Sequence, residues 1–208
     1  MGTSALAVGR NTNAFVPNMV DEEPALYWDT LLTASGTQLS SIYSAFSLPI
    51  NTPNPYNGNV PNTKLQTNMQ KANEFPPPRC LLLKAIQFQY SSQMTKADID
   101  KVEDGAYVEF KISDKIFFEG YLRDFPAGAG LMGVTTQNGE SVYTNGFPAP
   151  QATRRYGSWS KYIPPLTRFT LNVFFNGSNA AGVIPTLTGP VGMYIRVVLD
   201  GISALPVQ

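Results

Sequence analysis

An all-β fold built from antiparallel strands is what this sequence predicts, and three observations predict it. Short runs alternate apolar and polar side chains and stop at Gly, Pro, Asn or Asp, the punctuation of half-buried strands. Only one segment carries the cap signals of a helix, so the strand–helix alternation of parallel α/β folds is missing. The connections are long and rich in turn formers, with 17 Pro and 17 Gly in 208 residues.

Residues 1–24 lack periodicity and end in the acidic cluster Asp21-Glu22-Glu23 before Pro24, which reads as an extended arm. Ala25 to Thr33 is strand-like through Tyr27, Trp28 and Thr30 and ends at Ser35-Gly36. Between 37 and 46 the pattern fits helix and strand equally: Leu39, Ile42, Tyr43 and Phe46 fall at helical spacing, whereas Thr37, Ser40 and Tyr43 suit a strand. Residues 51–62 are dominated by Asn and Pro and read as loop. That loop runs on to Pro76-Pro77-Pro78, a connection of about thirty residues where compact domains use a handful, and such lengths point to interaction or function.

Cys80 to Tyr90 is the next strand, with Ile86, Phe88 and Tyr90 expected to face the core. Thr95 caps a short helix that Asp104-Gly105 closes. Ala106, Val108, Phe110 and Ile112 then share the inward face of a strand, and Ser113-Asp114 turns it into Lys115 to Leu122, a hairpin. Leu131 to Thr136 is a shorter run ending at Asn138-Gly139, after which a loop rich in Gly, Pro and aromatics extends to Pro164-Pro165. Phe169, Leu171, Val173 and Phe175 line one face of a late strand, and Met193 to Leu199 forms the last, ended by Asp200-Gly201. Asn176-Gly177-Ser178 matches a glycosylation sequon but reads as a turn. About seven or eight strands joined by long loops suit a jelly roll better than an immunoglobulin-like sandwich. The predicted organisation is an arm at 1–24 and one β-sandwich domain at 25–208, with long loops at about 48–79 and 138–165.

Composition narrows function by exclusion. The chain contains no histidine, which removes Ser-His-Asp and Cys-His nucleophile systems and most zinc sites together. With Cys80 alone there is no internal disulfide, in keeping with synthesis in a reducing compartment. The 15 basic and 15 acidic residues cancel, so no net field gathers nucleic acid or an anionic membrane, and a neutral balance tolerates close self-association. No basic stretch followed by an apolar region marks an export signal, and no run reaches the about eighteen apolar residues of a membrane helix. Neither a cofactor nor a metal is expected, and no enzymatic activity.

Three patterns in the sequence bear on chemistry. Gly128-Ala129-Gly130-Leu131-Met132-Gly133 spells the dinucleotide fingerprint, but the residues that follow are strand and turn formers where the fingerprint needs a helix, so the glycines read as a bend. Glu109, Asp114 and Glu119 fall on one hairpin and could serve as a glycosidase pair, yet they alternate with Lys111 and Lys115 as on a solvated sheet face. Aromatics are 12% of the chain and many sit in loops. Tyr56, Phe75, Arg154, Arg155, Tyr156, Trp159 and Tyr162 are the candidate interaction residues, because Tyr, Trp, Phe and Arg anchor subunit contacts. The alternative is a sugar platform, with Tyr156 and Trp159 stacking on pyranose rings and the arginines hydrogen-bonding.

In its polar N-terminal arm, its sandwich with long decorated loops, its low charge and its closing strand Tyr194 to Gly201, the chain resembles jelly-roll capsid and virion proteins of bacteriophages. The resemblance is architectural and spans residues 25–201. It implies a non-catalytic virion subunit, made in the host cytoplasm, whose partners are copies of itself and other virion proteins, with no membrane insertion and no sequence-specific nucleic acid. The alternative is a lectin-like carbohydrate-binding module, serving as a receptor-binding virion part.

Overall fold

The computed structural model describes residues 21–91, 93–125, 132–137, 140–144, 154–155, 161–175 and 184–205. The strands are β1 (Asp21–Thr33), β2 (Ile42–Ala45), β3 (Pro53–Asn54), β4 (Val60–Pro61), β5 (Leu81–Tyr90), β6 (Ala106–Ile112), β7 (Lys115–Tyr121), β8 (Met132–Gln137), β9 (Glu140–Thr144), β10 (Arg154–Arg155), β11 (Lys161–Ile163), β12 (Phe169–Phe175) and β13 (Met193–Leu205), with one α-helix, α1 (Lys96–Gly105).

Two antiparallel sheets pack against each other. The first runs β1-β13-β5, with β10 and β11 both on the far side of β5, and the second runs β2-β12-β6-β7. Pairing is nested: β6 with β7, β5 with β10 and β11, β2 with β12, β1 with β13. Alternation fills the space between the sheets: Val108, Phe110, Phe169, Leu171, Val173 and Phe175 from the second meet Leu83, Ile86, Phe88, Ile195, Val197 and Leu199 from the first, all buried.

Several sequence expectations hold residue by residue. The inward faces of β6 and β12 are those predicted, Ile86, Phe88 and Tyr90 are buried, and the Thr95 hydroxyl caps α1 by accepting from Asp98 N–H at 3.2 Å. Other boundaries move. β1 begins at Asp21, so 21–24 are strand where an arm was expected, while residues 1–20 lie outside the described residues. β13 passes through Asp200-Gly201 to Leu205 because β1 continues to pair with it, Asp21 opposite Leu205. A register shift sits there instead: Asp200 pairs with Ala85 and Gly201 with Leu83, skipping Lys84. This bulge flips the buried parity of β5, so that Leu81 and Leu83 are buried as well as Ile86 and Phe88. Gly201 tolerates no side chain opposite the bulge, since a Cβ there would lie 2.3 Å from Leu82 O.

The segments expected as pure loop contain short ladders. β3 and β4 pair across a turn of 3₁₀-helix at Pro55–Asn57, and 138–165 holds β9, β10 and β11. Strand β8 opens at Met132, so the last glycine of the G-x-G-x-x-G pattern lies in a strand, while Gly128 to Leu131, like Asn176 to Ser178, falls outside the described residues.

The long 48–79 connection packs back on its own domain. Met69 and Phe75 are fully buried, and Asn68 covers the outer edge of β1: its Oδ1 accepts from Trp28 N–H at 2.9 Å while its Nδ2 donates to Leu26 O at 2.8 Å. Its backbone N–H adds a bond to Trp28 O at 3.2 Å, and the Thr30 hydroxyl donates to Gln66 O at 2.8 Å. A carboxamide presents the same donor and acceptor as a peptide group, so this one side chain stands in for a strand neighbour and blunts an edge that would otherwise invite pairing.

Candidate functional site

The seven candidate interaction residues separate in space. Phe75 is withdrawn from any contact surface: its ring stacks on Phe169 at 5.0 Å and tilts against Tyr27 at 4.5 Å inside the core, because a Phe beside three prolines fills the gap where the loop returns to the sandwich. Tyr56 is 38% exposed but its ring lies 4.8 Å from Tyr43, so it closes a cleft more than it projects from one. Tyr162 is 44% exposed on β11. Its hydroxyl bonds the buried Cys80 and is pushed up to about 12, first by burial and then by the neighbouring thiol. Arg154 and Arg155 form β10, in register with Ile86 and Ala85 of β5, beside the β11 residues that pair with Leu81 to Leu83. Tyr156 and Trp159 lie outside the described residues. The structure therefore brings Arg154, Arg155 and Tyr162 to one edge of the first sheet and leaves Tyr56 and Phe75 elsewhere.

The cleft under Tyr56 holds the chemistry that sequence reasoning missed. Asp29 sits mid-strand on the inner face of β1 and is 5% exposed. Its Oδ2 accepts from Phe46 N–H at 2.6 Å, and no Lys or Arg among the described residues pairs with it. Burial pushes the carboxyl up to about 7, against the pull of hydrogen bonds from the Phe46 and Thr30 N–H groups and the Thr67 hydroxyl. The signal was legible: an acid among Tyr27, Trp28, Leu31 and Leu32, at the parity of Tyr27 and Leu31, has to be buried. Phe46 turns through a left-handed backbone, φ 64°, and its carbonyl accepts from Asn73 N–H at 2.8 Å, while Asn73 O accepts from Phe169 N–H at 2.8 Å. Asp29 is thus the first link of a chain that stitches β1, the β2 end, the long loop and β12. The cleft around it, lined also by Tyr43, Asn54, Tyr56 and Asn62, has a volume of about 20 Å³, room for about one water.

The carboxylates of the β6–β7 hairpin take an arrangement different from the expected cross-strand pairing with lysine. Glu109 and Glu119 face each other across the ladder, and the Lys111 ammonium reaches Glu109 from the same strand at 2.7 Å. Glu119 accepts from the Tyr107 hydroxyl, and Asp114 is exposed in the turn. Two like charges in register destabilise a hairpin, and here a lysine and a phenol offset them. A neighbouring row on the outer face of the same sheet is apolar, running Ile42, Phe174, Tyr107 and Tyr121 across all four strands. The Tyr107 and Tyr121 rings stand at 88° to each other, so they do not form one flat platform.

Among the described residues no group of three or more Cys, Asp or Glu is placed to hold a metal ion, and no helix is long and apolar enough to cross a membrane. Comparison with known proteins finds no matching family model, no similar curated protein and no similar solved structure.

Proposed function

We propose that the chain is a non-catalytic capsid protein of a bacteriophage virion, a jelly-roll block that assembles with copies of itself and with other virion proteins. The observation that carries this reading is the nested strand order: β1-β13-β5-β10/β11 facing β2-β12-β6-β7 is the order produced by rolling up a single long hairpin, which is how a jelly roll is made. Jelly rolls serve as viral capsid and lectin domains, so the fold alone leaves both on the table. Two features favour the capsid. The sequence has no histidine and no net charge, and the described cleft has room for about one water, so recognition falls to surfaces rather than cavities. The exposed aromatic row is angled, which suits interdigitation with another protein better than stacking on a sugar ring.

The test is the mass and shape of the purified chain, by light scattering coupled to size exclusion and then negative-stain microscopy. Rings or shells are expected. A monomer at every concentration that also binds an array glycan overturns the capsid reading in favour of the lectin.

A further inference from the structure

The first sheet ends in two edges of opposite charge. At one edge, β1 opens with Asp21-Glu22-Glu23, in register with Leu205, Ala204 and Ser203 of β13. From Leu26 onward the outer side of β1 is covered by Gln66 and Asn68, but no strand among the described residues lies outside Asp21 to Ala25. At the opposite edge, β10 and β11 carry Arg154, Arg155 and Lys161, and Lys84 stands between their partners on β5. Lys115 of β7 joins them through a shared ring: the Lys115 and Lys161 ammonium groups lie 5.5 and 5.1 Å from the centre of Phe117. Five basic residues therefore fall on the strands of this side, where Lys115 and Lys161 meet over Phe117, against Asp114 in the adjoining turn and Asp200 one strand inward. The chain as a whole is neutral, so this separation is one of placement.

We propose that the acidic edge Asp21–Glu23 of one copy docks against the basic edge formed by β10, β11 and Lys115 of the next, a head-to-tail contact that joins first sheets side by side. The inference rests on the assembly reading above and names the surfaces that would carry it. The two patches differ, so the contact is heterologous and propagates into a ring or a lattice rather than stopping at a dimer. Charge, more than a backbone ladder, holds it. Trp28 directs its N–H away from β13 toward Asn68, and Pro24 shares that parity while having no N–H to offer. Charges and proline on an edge also repel indiscriminate strand pairing, so only a basic edge is admitted.

Two charge-reversed full-length chains test this. One carries Asp21→Lys, Glu22→Lys and Glu23→Lys, the other Arg154→Glu, Arg155→Glu and Lys161→Glu. Each alone is expected to associate about a hundredfold more weakly than the unaltered chain, since juxtaposed like charges oppose docking. An equimolar mixture should recover association, because each chain then offers the edge its neighbour lacks. Rescue on mixing also shows that both chains fold. A reversed chain that assembles as the unaltered one does, or a mixture of folded chains that fails to recover, overturns the docking proposal while leaving self-assembly intact; an unaltered chain that never associates removes the assembly reading itself. As a second readout, Glu23→Cys with Lys161→Cys in one chain should give disulfide-linked ladders under oxidation, with Cys80 buried and out of competition. Oxidised monomer alone would count against the contact.

Discussion

Replacing Asp29 with Asn tests the most unusual energetic feature of the domain. The carboxyl titrates near 7 in the folded chain against 3.8 for the ordinary group, so between those pH values the folded state holds a proton that the unfolded state has released. The favourable contribution is fully present below about pH 4, falls as pH rises toward 7, and is absent above it. About three pH units at 1.36 kcal/mol each make this about 4 kcal/mol. The Asp29→Asn variant cannot ionise, and its amide oxygen can still accept from Phe46 N–H while its NH2 faces Thr67 Oγ1. The net shift already contains the carboxylate's hydrogen bonds, so the variant should gain about 4 kcal/mol on the parent between pH 4 and pH 8. Urea unfolding of both chains at half-unit steps from pH 4 to 8 is the assay, read as the difference between the two curves so that other titrating groups cancel. Parallel curves across that range would refute the assignment of a buried, unpaired carboxyl at this position.

Phe75→Ala should cost about 3–5 kcal/mol in chemical denaturation, the price of emptying an aromatic site in the core, and a surface-sized loss below 1 kcal/mol would return Phe75 to the contact candidates. Asn68→Ala removes both side-chain bonds that cover β1, and limited proteolysis within 48–79 should accelerate about tenfold; unchanged cleavage would mean the loop is held elsewhere. Asp98 accepts from Gly189 N–H at 2.7 Å, from Thr188 N–H and from Lys101, and although burial works to raise its pKa these bonds hold it below the usual carboxylate value. Its contribution is therefore present at neutral pH and lost as pH falls through the lowered value, and Asp98→Ala should cost about 3 kcal/mol at pH 7 and speed hydrogen exchange at 184–192. Gly192→Ala should cost more than about 2 kcal/mol, because φ is +64° and a Cβ would lie 2.2 Å from Thr33 O; a neutral melting temperature would contradict that geometry.

What the sequence discloses, and what it conceals, follows from how local each signal is. β6 and β12 were readable to the residue because strict alternation over seven positions has one meaning when one face is buried. The helix cap was readable because Thr95 acts on a neighbour three residues away. The bulge at Lys84 was not, since it arises from a partner more than a hundred residues later in the chain, and only the apolar run Leu81-Leu82-Leu83, apolar on both parities, hinted at it. The fate of Phe75 was equally hidden: a loop aromatic has the same local signature whether it turns toward solvent or toward Phe169. For the interaction candidates, strand register gathers Arg154, Arg155 and Tyr162, which sequence proximity had already grouped, and separates Tyr56 and Phe75, which only residue type had joined to them.

The position of the long loop changes where an assembly surface should be sought. A thirty-residue polar connection suggests an arm free to reach a neighbour, but residues 48–79 spend their hydrogen-bonding groups on β1, Phe46 and Phe169 of their own chain. A segment engaged in that way cannot also embrace a second copy without giving up those bonds. If the chain assembles as proposed, contact falls to what the loop leaves uncovered among the described residues, namely the opening residues of β1, the β10–β11 edge, and the outer aromatic row of the second sheet. Of these, only the first two are matched in charge, and they lie at opposite ends of one sheet, which is the arrangement a propagating contact requires.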